Sequence, residues 1–215
     1  MTIRNVYDSD PMLYAINQNN PQMVQLLLHY NFNINKEGNE WDNLYLHYAS
    51  RVNARIVELL LKNGADINKK SNTGETALIF SLDADSLNSF YTLLANGADI
   101  NAVNNHNQTA LFFACERNKL DAAKKLIEMG ANYNQADDKG QSPLHITAQK
   151  GYTDLTALLL ENNAQTKVKD SNHLTPYQYA IQYKNLQIGD MISQKEKKQK
   201  RVNVKYFDEF IQDQK

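Results

Sequence analysis

Short apolar stripes at helical spacing alternate with polar turns along this chain, and the alternation recurs every 33 residues. One unit can be followed in full. Asp137 to Gln141 carry turn chemistry, and Gly140 is suited to positive φ. Ser142 is a good helix N-cap, and Pro143 suits the first helical position, where a missing N–H costs nothing. Leu144, Thr147 and Ala148 predict a short helix with a small-residue face, which Gly151 breaks. Leu155, Leu158, Leu159 and Leu160 then supply the stripe of a second helix ending near Asn163. Each unit reads as an extended turn followed by two short antiparallel helices.

Two registers carry the period. Gly64-Ala65-Asp66-Ile67-Asn68 returns as Gly97-Ala98-Asp99-Ile100-Asn101 and Gly130-Ala131-Asn132-Tyr133-Asn134. One step back it reads Asn31-Phe32-Asn33-Ile34-Asn35, and one step on it weakens to Asn163-Ala164-Gln165-Thr166-Lys167. The second register runs Asp10-Pro11-Met12, Asn43-Leu44-Tyr45, Thr76-Ala77-Leu78, Thr109-Ala110-Leu111, Ser142-Pro143-Leu144-His145 and Thr175-Pro176-Tyr177. A unit this small cannot bury its apolar face alone. Stacked units bury a continuous core, so the period predicts an all-α solenoid that grows in one dimension.

Composition changes this picture little. Glycine (8) and proline (4) are scarce for a turn-rich repeat, and asparagine stands in for glycine. Its short polar side chain tolerates the left-handed conformation. Asn31 and Asn163 hold the helix-ending place of Gly64, and Asn118 holds the inter-helix place of Gly151. A net charge of -1 gives no global field toward nucleic acid or an anionic membrane. No apolar run is long enough to span a bilayer, the first ten residues lack signal-peptide character, and the single Cys115 suits a reducing compartment. The cytosol is the expected setting.

At this level of detail the chain resembles the ankyrin-repeat family. The family pattern D-x-x-G-x-T-P-L-H-x-A appears as Asp137-Asp138-Lys139-Gly140-Gln141-Ser142-Pro143-Leu144-His145-Ile146-Thr147. Its I-V-x-x-L-L-x-x-G-A-D-I-N appears as Ile56 through Asn68. The resemblance covers about nine-tenths of the chain as six units, 5–37, 38–70, 71–103, 104–136, 137–169 and 170–194, followed by a tail at 195–215. The first and last units depart from the pattern, as caps with a polar outer face do. Repeat six has Tyr177 for Leu and Gly189 inside its second helix, and repeat two has Trp41 in a turn-glycine place and Tyr48 in a small-residue place.

The resemblance implies a non-enzymatic scaffold that binds another protein on a concave surface made of turn tips and first helices. Carried onto this sequence, the tip positions are Tyr7, Glu40, Trp41, Glu75, His106 and Lys139. The first-helix positions are Gln18, Arg51, Asp83, Glu116, Arg117, Lys150 and Tyr183. Trp41, the single tryptophan, has two readings: a binding hot spot, or a ring folded back on Tyr45 or Tyr48. A row of Tyr14, His47, Phe80, Phe113, Ile146 and Tyr179 reads as inter-repeat packing before it reads as a peptide ledge. In the family the imidazole at the His145 place hydrogen-bonds nearby backbone.

No catalytic or metal pattern competes with this. The five histidines show no HExxH or paired spacing with cysteine, and there is no Gly-rich phosphate loop or G-x-S-x-G elbow. The reading calls for no cofactor, no small-molecule substrate, no nucleic-acid or membrane partner, and a monomer. In the tail, Lys197, Lys198, Lys200 and Arg201 resemble a short nuclear-localisation signal, and Val204, Phe207, Phe210 and Ile211 follow at helical spacing. The segment is expected to form an extra helix that caps repeat six or binds a partner. Alternatives are a regulatory or inhibitory subunit of an enzyme, or a targeting adaptor that works through its tail. The AT-rich residue bias and stand-alone repeats also resemble ankyrin-repeat effectors of intracellular bacteria. That resemblance implies a host protein as target, in host cytosol or nucleus.

Overall fold

A computed structural model describes residues 10–32, 34, 44–84 and 87–212, with side chains through residue 201. Its helices come in pairs, one pair to each 33-residue unit. The first helices are α1 (Pro11–Asn17), α3 (Tyr45–Val52), α5 (Ala77–Phe80), α7 (Ala110–Glu116), α9 (Pro143–Lys150) and α11 (Pro176–Gln182). The second helices are α2 (Pro21–His29), α4 (Ala54–Lys62), α6 (Asn88–Ala95), α8 (Leu120–Glu128), α10 (Thr153–Glu161) and α12 (Leu186–Gln212). First helices pack on first helices (α1 on α3, α3 on α5, α7 on α9, α9 on α11) and second on second (α2 on α4, α4 on α6, α10 on α12). The result is two layers of helices with one core running between them.

The core follows the period. Met12, Leu78, Leu111 and Leu144, which share one register place, are all fully buried. Phe90, Leu126, Leu155 and Ile188 fill the second-helix side. Fully burying a side chain of this size is worth about 1.5–3 kcal/mol, so the stack is held mainly by area that neighbouring repeats cover for each other. Cys115 lies in this core as a compact apolar filler, and burial pushes its thiol up to about 12.

Local chemistry sets the helix ends. Thr109 Oγ1 accepts from the Phe112 N–H at 3.2 Å, and Asn20 Oδ1 from the Met23 N–H at 2.9 Å. Helices end where the chain turns left-handed: Asn31 and Asn163 do so at φ 58° and 62°, beside Gly64 at 87°. Asn19, Asn118 and Lys184 take the same conformation between paired helices, at φ 49°, 55° and 61°. Asparagine does the work of glycine at Asn31, Asn118 and Asn163, as its placement in the sequence predicts, and in repeat six Lys184 takes that conformation.

A ladder of asparagines joins repeat to repeat. Asn68 Oδ1 accepts from the Asp99 N–H, Asn101 Oδ1 from the Asn132 N–H, and Asn134 Oδ1 from the Gln165 N–H, each at 2.9 Å. Within each repeat Asp66, Asp99 and Asn132 close an Asx turn onto the asparagine two residues on. This explains the decay of the motif at 163–167. The Gln165 N–H still donates to repeat four, but Lys167 needs no acceptor, because in repeat six α12 runs on through the place where the next loop would present its N–H.

Two elements depart from the sequence expectation. In repeat three the first helix is only four residues long and tightens into a 3-10 turn at Ser81–Asp83. Ser81 Oγ donates to the Leu78 carbonyl at 2.6 Å, competing with the helical ladder, and the chain leaves the helix at Ala84 in an extended conformation. The tail is not a separate extra helix. α12 runs unbroken through Ser193 and the basic run, because nothing between Ile192 and Arg201 interrupts a helix. Gly189 does not break it either. It sits where a Cβ would lie 3.1 Å from Ile181 Cδ1, so glycine lets α12 close on α11.

Candidate functional site

The turn tips form a continuous backbone ribbon. The N–H groups of Asn105, Asp138 and Ser171 donate to the carbonyls of Thr73, His106 and Lys139 in the preceding tips, at 3.0, 3.0 and 2.8 Å. Each tip is braced internally. Asp137 Oδ1 accepts from the Lys139 and Gln141 N–H groups at 3.0 and 2.8 Å, and Asp170 Oδ1 from those of Asn172 and Leu174, both at 3.0 Å. Of the expected tip residues, His106 and Lys139 are exposed and Glu75 is half-buried. His106 Nδ1 lies 2.8 Å from Asp138 Oδ2 in the next tip. Tyr7, Glu40 and Trp41 lie outside the described residues.

The expected first-helix residues gather at the C-terminal ends of those helices. Arg51 stands in the last turn of α3, Arg117 caps α7, Lys150 ends α9, Tyr183 caps α11 and Gln18 caps α1. Cations here suit the negative end of the helix dipole. Asp83 stands between two of them. It accepts from Arg117 Nε at 2.7 Å and faces Arg51 Nη2 at 3.4 Å. Each guanidinium also lies over the ring of its neighbouring row: Arg117 is 4.5 Å from the Phe113 centroid and Arg51 5.7 Å from that of Phe80. Ala84, in the register place of the two arginines, leaves the room in which one carboxylate serves both. Arg117 Nη1 is shielded from solvent and has no hydrogen-bond partner. Glu116 is half-buried, Lys150 is exposed, and neither forms an ion pair among the described residues.

The same arrangement ends at repeat six in aromatic rings. Tyr183 stacks on Tyr179 at 6.2 Å with 16° between planes, and its hydroxyl accepts from Gln149 Nε2 at 2.9 Å. Tyr179 is buried. Its hydroxyl donates to Asp170 Oδ2 at 2.6 Å and accepts from Gln141 Nε2 at 2.7 Å. Burial raises the Asp170 carboxyl, but the Tyr179 hydroxyl and the Leu174 and Asn172 N–H groups outweigh it and hold the group below its ordinary range. Burial, with Asp170, raises the phenol of Tyr179.

The aromatic row serves mainly as packing. His47, Phe113, Ile146 and Tyr179 are buried and Phe80 half-buried, whereas Tyr14 at the first repeat is 46% exposed. Tyr48 is also half-buried against the core, so its departure from the small-residue place is absorbed by packing. His145 bonds backbone as expected: Nδ1 accepts from the Ser142 N–H at 3.0 Å and Nε2 donates to the Leu174 carbonyl at 3.2 Å. His47 makes the same forward bond. Its Nε2 donates to the Glu75 carbonyl at 3.0 Å, the place three repeats before Leu174. Burial lowers the pKa of both imidazoles. The His47 signal in the sequence is a histidine one residue past the T-P-L-H place, a position that also belongs to the row of rings.

The described units thus share one geometry, a braced tip and a pair of helices, with asparagine bridges leading from repeats two, three and four to the next. A family model described as ankyrin repeats (3 copies) matches residues 2–71, 46–137 and 130–205. The chain belongs to the ankyrin-repeat family. No curated protein matches the chain at a significant level. Ankyrin repeats are in general modules that bind other proteins, and typically scaffolds rather than enzymes. Among the described residues no three His, Cys, Asp or Glu side chains converge as metal ligands, and no helix is long and apolar enough to cross a membrane.

Proposed function

We propose that this ankyrin-repeat protein is a non-enzymatic scaffold that holds a protein partner on the side formed by its turn tips and first-helix ends. The observation that carries the reading is the charged row there. Arg51, Asp83 and Arg117 are fixed across three repeats by ion pairs and ring contacts, while His106, Lys139 and Lys150 stand exposed beside them. A preorganised surface loses little entropy on association, so a few anchors suffice for useful affinity. A standard interface covers about 800 Å² per partner, which several adjacent repeats can supply. The cytosol is the setting proposed, the site of the partner being host cytosol if the protein is delivered as an effector.

The test is capture of a partner by three forms of the protein. The wild type is expected to retain one protein stably, and a Trp41→Ala/Arg117→Ala variant to lose it. A form lacking residues 195–215 is expected to keep it. Loss on deleting the tail, with the double variant behaving as wild type, would transfer the function to Lys197, Lys198, Lys200 and Arg201, which are exposed on α12.

A further inference from the structure

We propose that the partner segment seated on the first-helix ends is an extended acidic peptide whose carboxylates are spaced to meet Arg51, Arg117 and Lys150. The inference rests on the binding side proposed above and specifies its chemistry. Four observations carry it. The cations at the ends of α3, α7 and α9 occupy one register place, so they recur along the stack rather than scatter over it. A further cation reaches the same edge: Lys119 Nζ donates to the Ala84 carbonyl at 3.0 Å. Asp83 is shared by two guanidinium groups, so a single carboxylate stands against two cations. Lys150 has no acid partner among the described residues.

The Arg51 side chain is 46% exposed and meets Asp83 only through Nη2 at 3.4 Å, so its guanidinium keeps donors for a second carboxylate, the group whose geometry a guanidinium fork matches. The rings of Phe80 and Phe113, with Asp83, restrain both arginines, so less freedom remains to be lost when an anion arrives. The spacing follows from general geometry. Packed helices lie about 8–10 Å apart, and an extended chain advances about 3.3 Å per residue. One repeat therefore matches roughly three peptide residues. Arg117 and Lys150 are one repeat apart and call for acids about three residues apart; Arg51 and Arg117, two repeats apart, call for acids about six residues apart.

Selection of phage-displayed random dodecapeptides on the wild-type protein tests this. Enriched sequences are expected to carry acids at three- and six-residue separations, in either chain direction. Synthetic peptides of those sequences are expected to lose about tenfold in affinity when the acids become Gln, and a similar factor on Arg117→Ala or Lys150→Ala. Lys150→Ala disturbs no side-chain bond in the structure, so it remains informative if Arg117→Ala unfolds the protein. Binding should also weaken steeply with salt. Peptides that lack acids, or that tolerate Gln within twofold, overturn the acidic assignment, as does a selection that enriches nothing. If such peptides still lose affinity with Lys139→Glu or Trp41→Ala, the binding side stands and only its chemistry falls. Binders indifferent to all these variants overturn both.

Discussion

His145 links two repeats through one ring: Nδ1 accepts from the N–H of Ser142, and Nε2 donates to the carbonyl of Leu174 one repeat ahead. The bond at Nδ1 requires the neutral ring, and burial disfavours protonation both of His145 and of His47, which makes the equivalent forward bond to Glu75. Folding therefore keeps two imidazoles from binding protons that they would bind near 6.5 in the unfolded chain. The unfolded state binds more protons just below that value, so stability rises with pH through the window. This contribution is complete above about 6.5 and is lost as pH falls below it, at up to about 1.4 kcal/mol per pH unit for each histidine. Asp170 acts in the same sense but lower: its contribution is complete above its ordinary 3.8 and is lost below. Urea unfolding at pH 7.5 and 5.5 is expected to show a lower midpoint at 5.5. His145→Gln should shrink that difference by about half. Gln178 shows that glutamine keeps the cap at this place, since its Oε1 accepts from the Thr175 N–H at 2.8 Å. A midpoint that does not move between the two pH values rules out this account.

The asparagine ladder predicts a contrast between two residues of the same register. Asn101→Ala removes the acceptor for the Asn132 N–H and is expected to cost about 1 kcal/mol. Lys167→Ala, at the end of the ladder, is expected to change stability by less than about 0.5 kcal/mol. Equal effects in thermal unfolding would remove the ladder as the reason for the motif.

What could be read ahead of the structure was whatever the period repeats. Helix pairing, the Ser142–Pro143 start and the left-handed role of Asn31, Asn118 and Asn163 are local choices made several times over, so each copy supports the others. What could not be read depends on contacts between different registers. Asp83 meets Arg117 where Ala84 leaves room and the first helix of repeat three ends early in a 3-10 turn. No single repeat contains that arrangement. The unbroken α12 is hidden for the opposite reason: the repeat pattern stops near Ser193, but helix propensity does not. At the candidate site, the sequence named Arg51, Asp83, Arg117 and Lys150 one at a time and left their relation to the structure.

Gly74 and Gly97 are both left-handed, at φ 78° and 84°, yet alanine should affect them differently. A Cβ on Gly97 meets nothing within 4 Å, so Gly97→Ala is expected to cost only the conformational term, about 1–2 kcal/mol. A Cβ on Gly74 would lie 2.6 Å from the backbone nitrogen of Asn105, the atom that ties one tip to the previous one. Gly74→Ala should therefore cost more than Gly97→Ala and should loosen the tip ribbon. Hydrogen exchange at the Asn105 amide checks this: faster exchange in Gly74→Ala but not in Gly97→Ala is the expected result.

Trp41 gives the sharpest test of scaffold against function. It holds the register place that is left-handed in each of the four described turns, at Gly74, Asn107, Gly140 and His173. If the turn of repeat two follows the other four, a bulky residue there costs about 1–2 kcal/mol, which a folding role alone gives no reason to retain. Trp41→Gly is accordingly expected to raise the melting temperature by about 2–4 °C per kcal/mol recovered. As a hot spot, the same indole should supply binding energy, so Trp41→Gly is expected to weaken the captured complex by more than about tenfold. Stability and affinity then move in opposite directions, the pattern of a residue kept for function at a cost to the fold. If the ring instead folds back on Tyr45 or Tyr48 as a substitute for turn geometry, the melting temperature drops and the affinity is unchanged. Differential scanning calorimetry of the free protein and titration of the captured partner on the same two samples separate these outcomes.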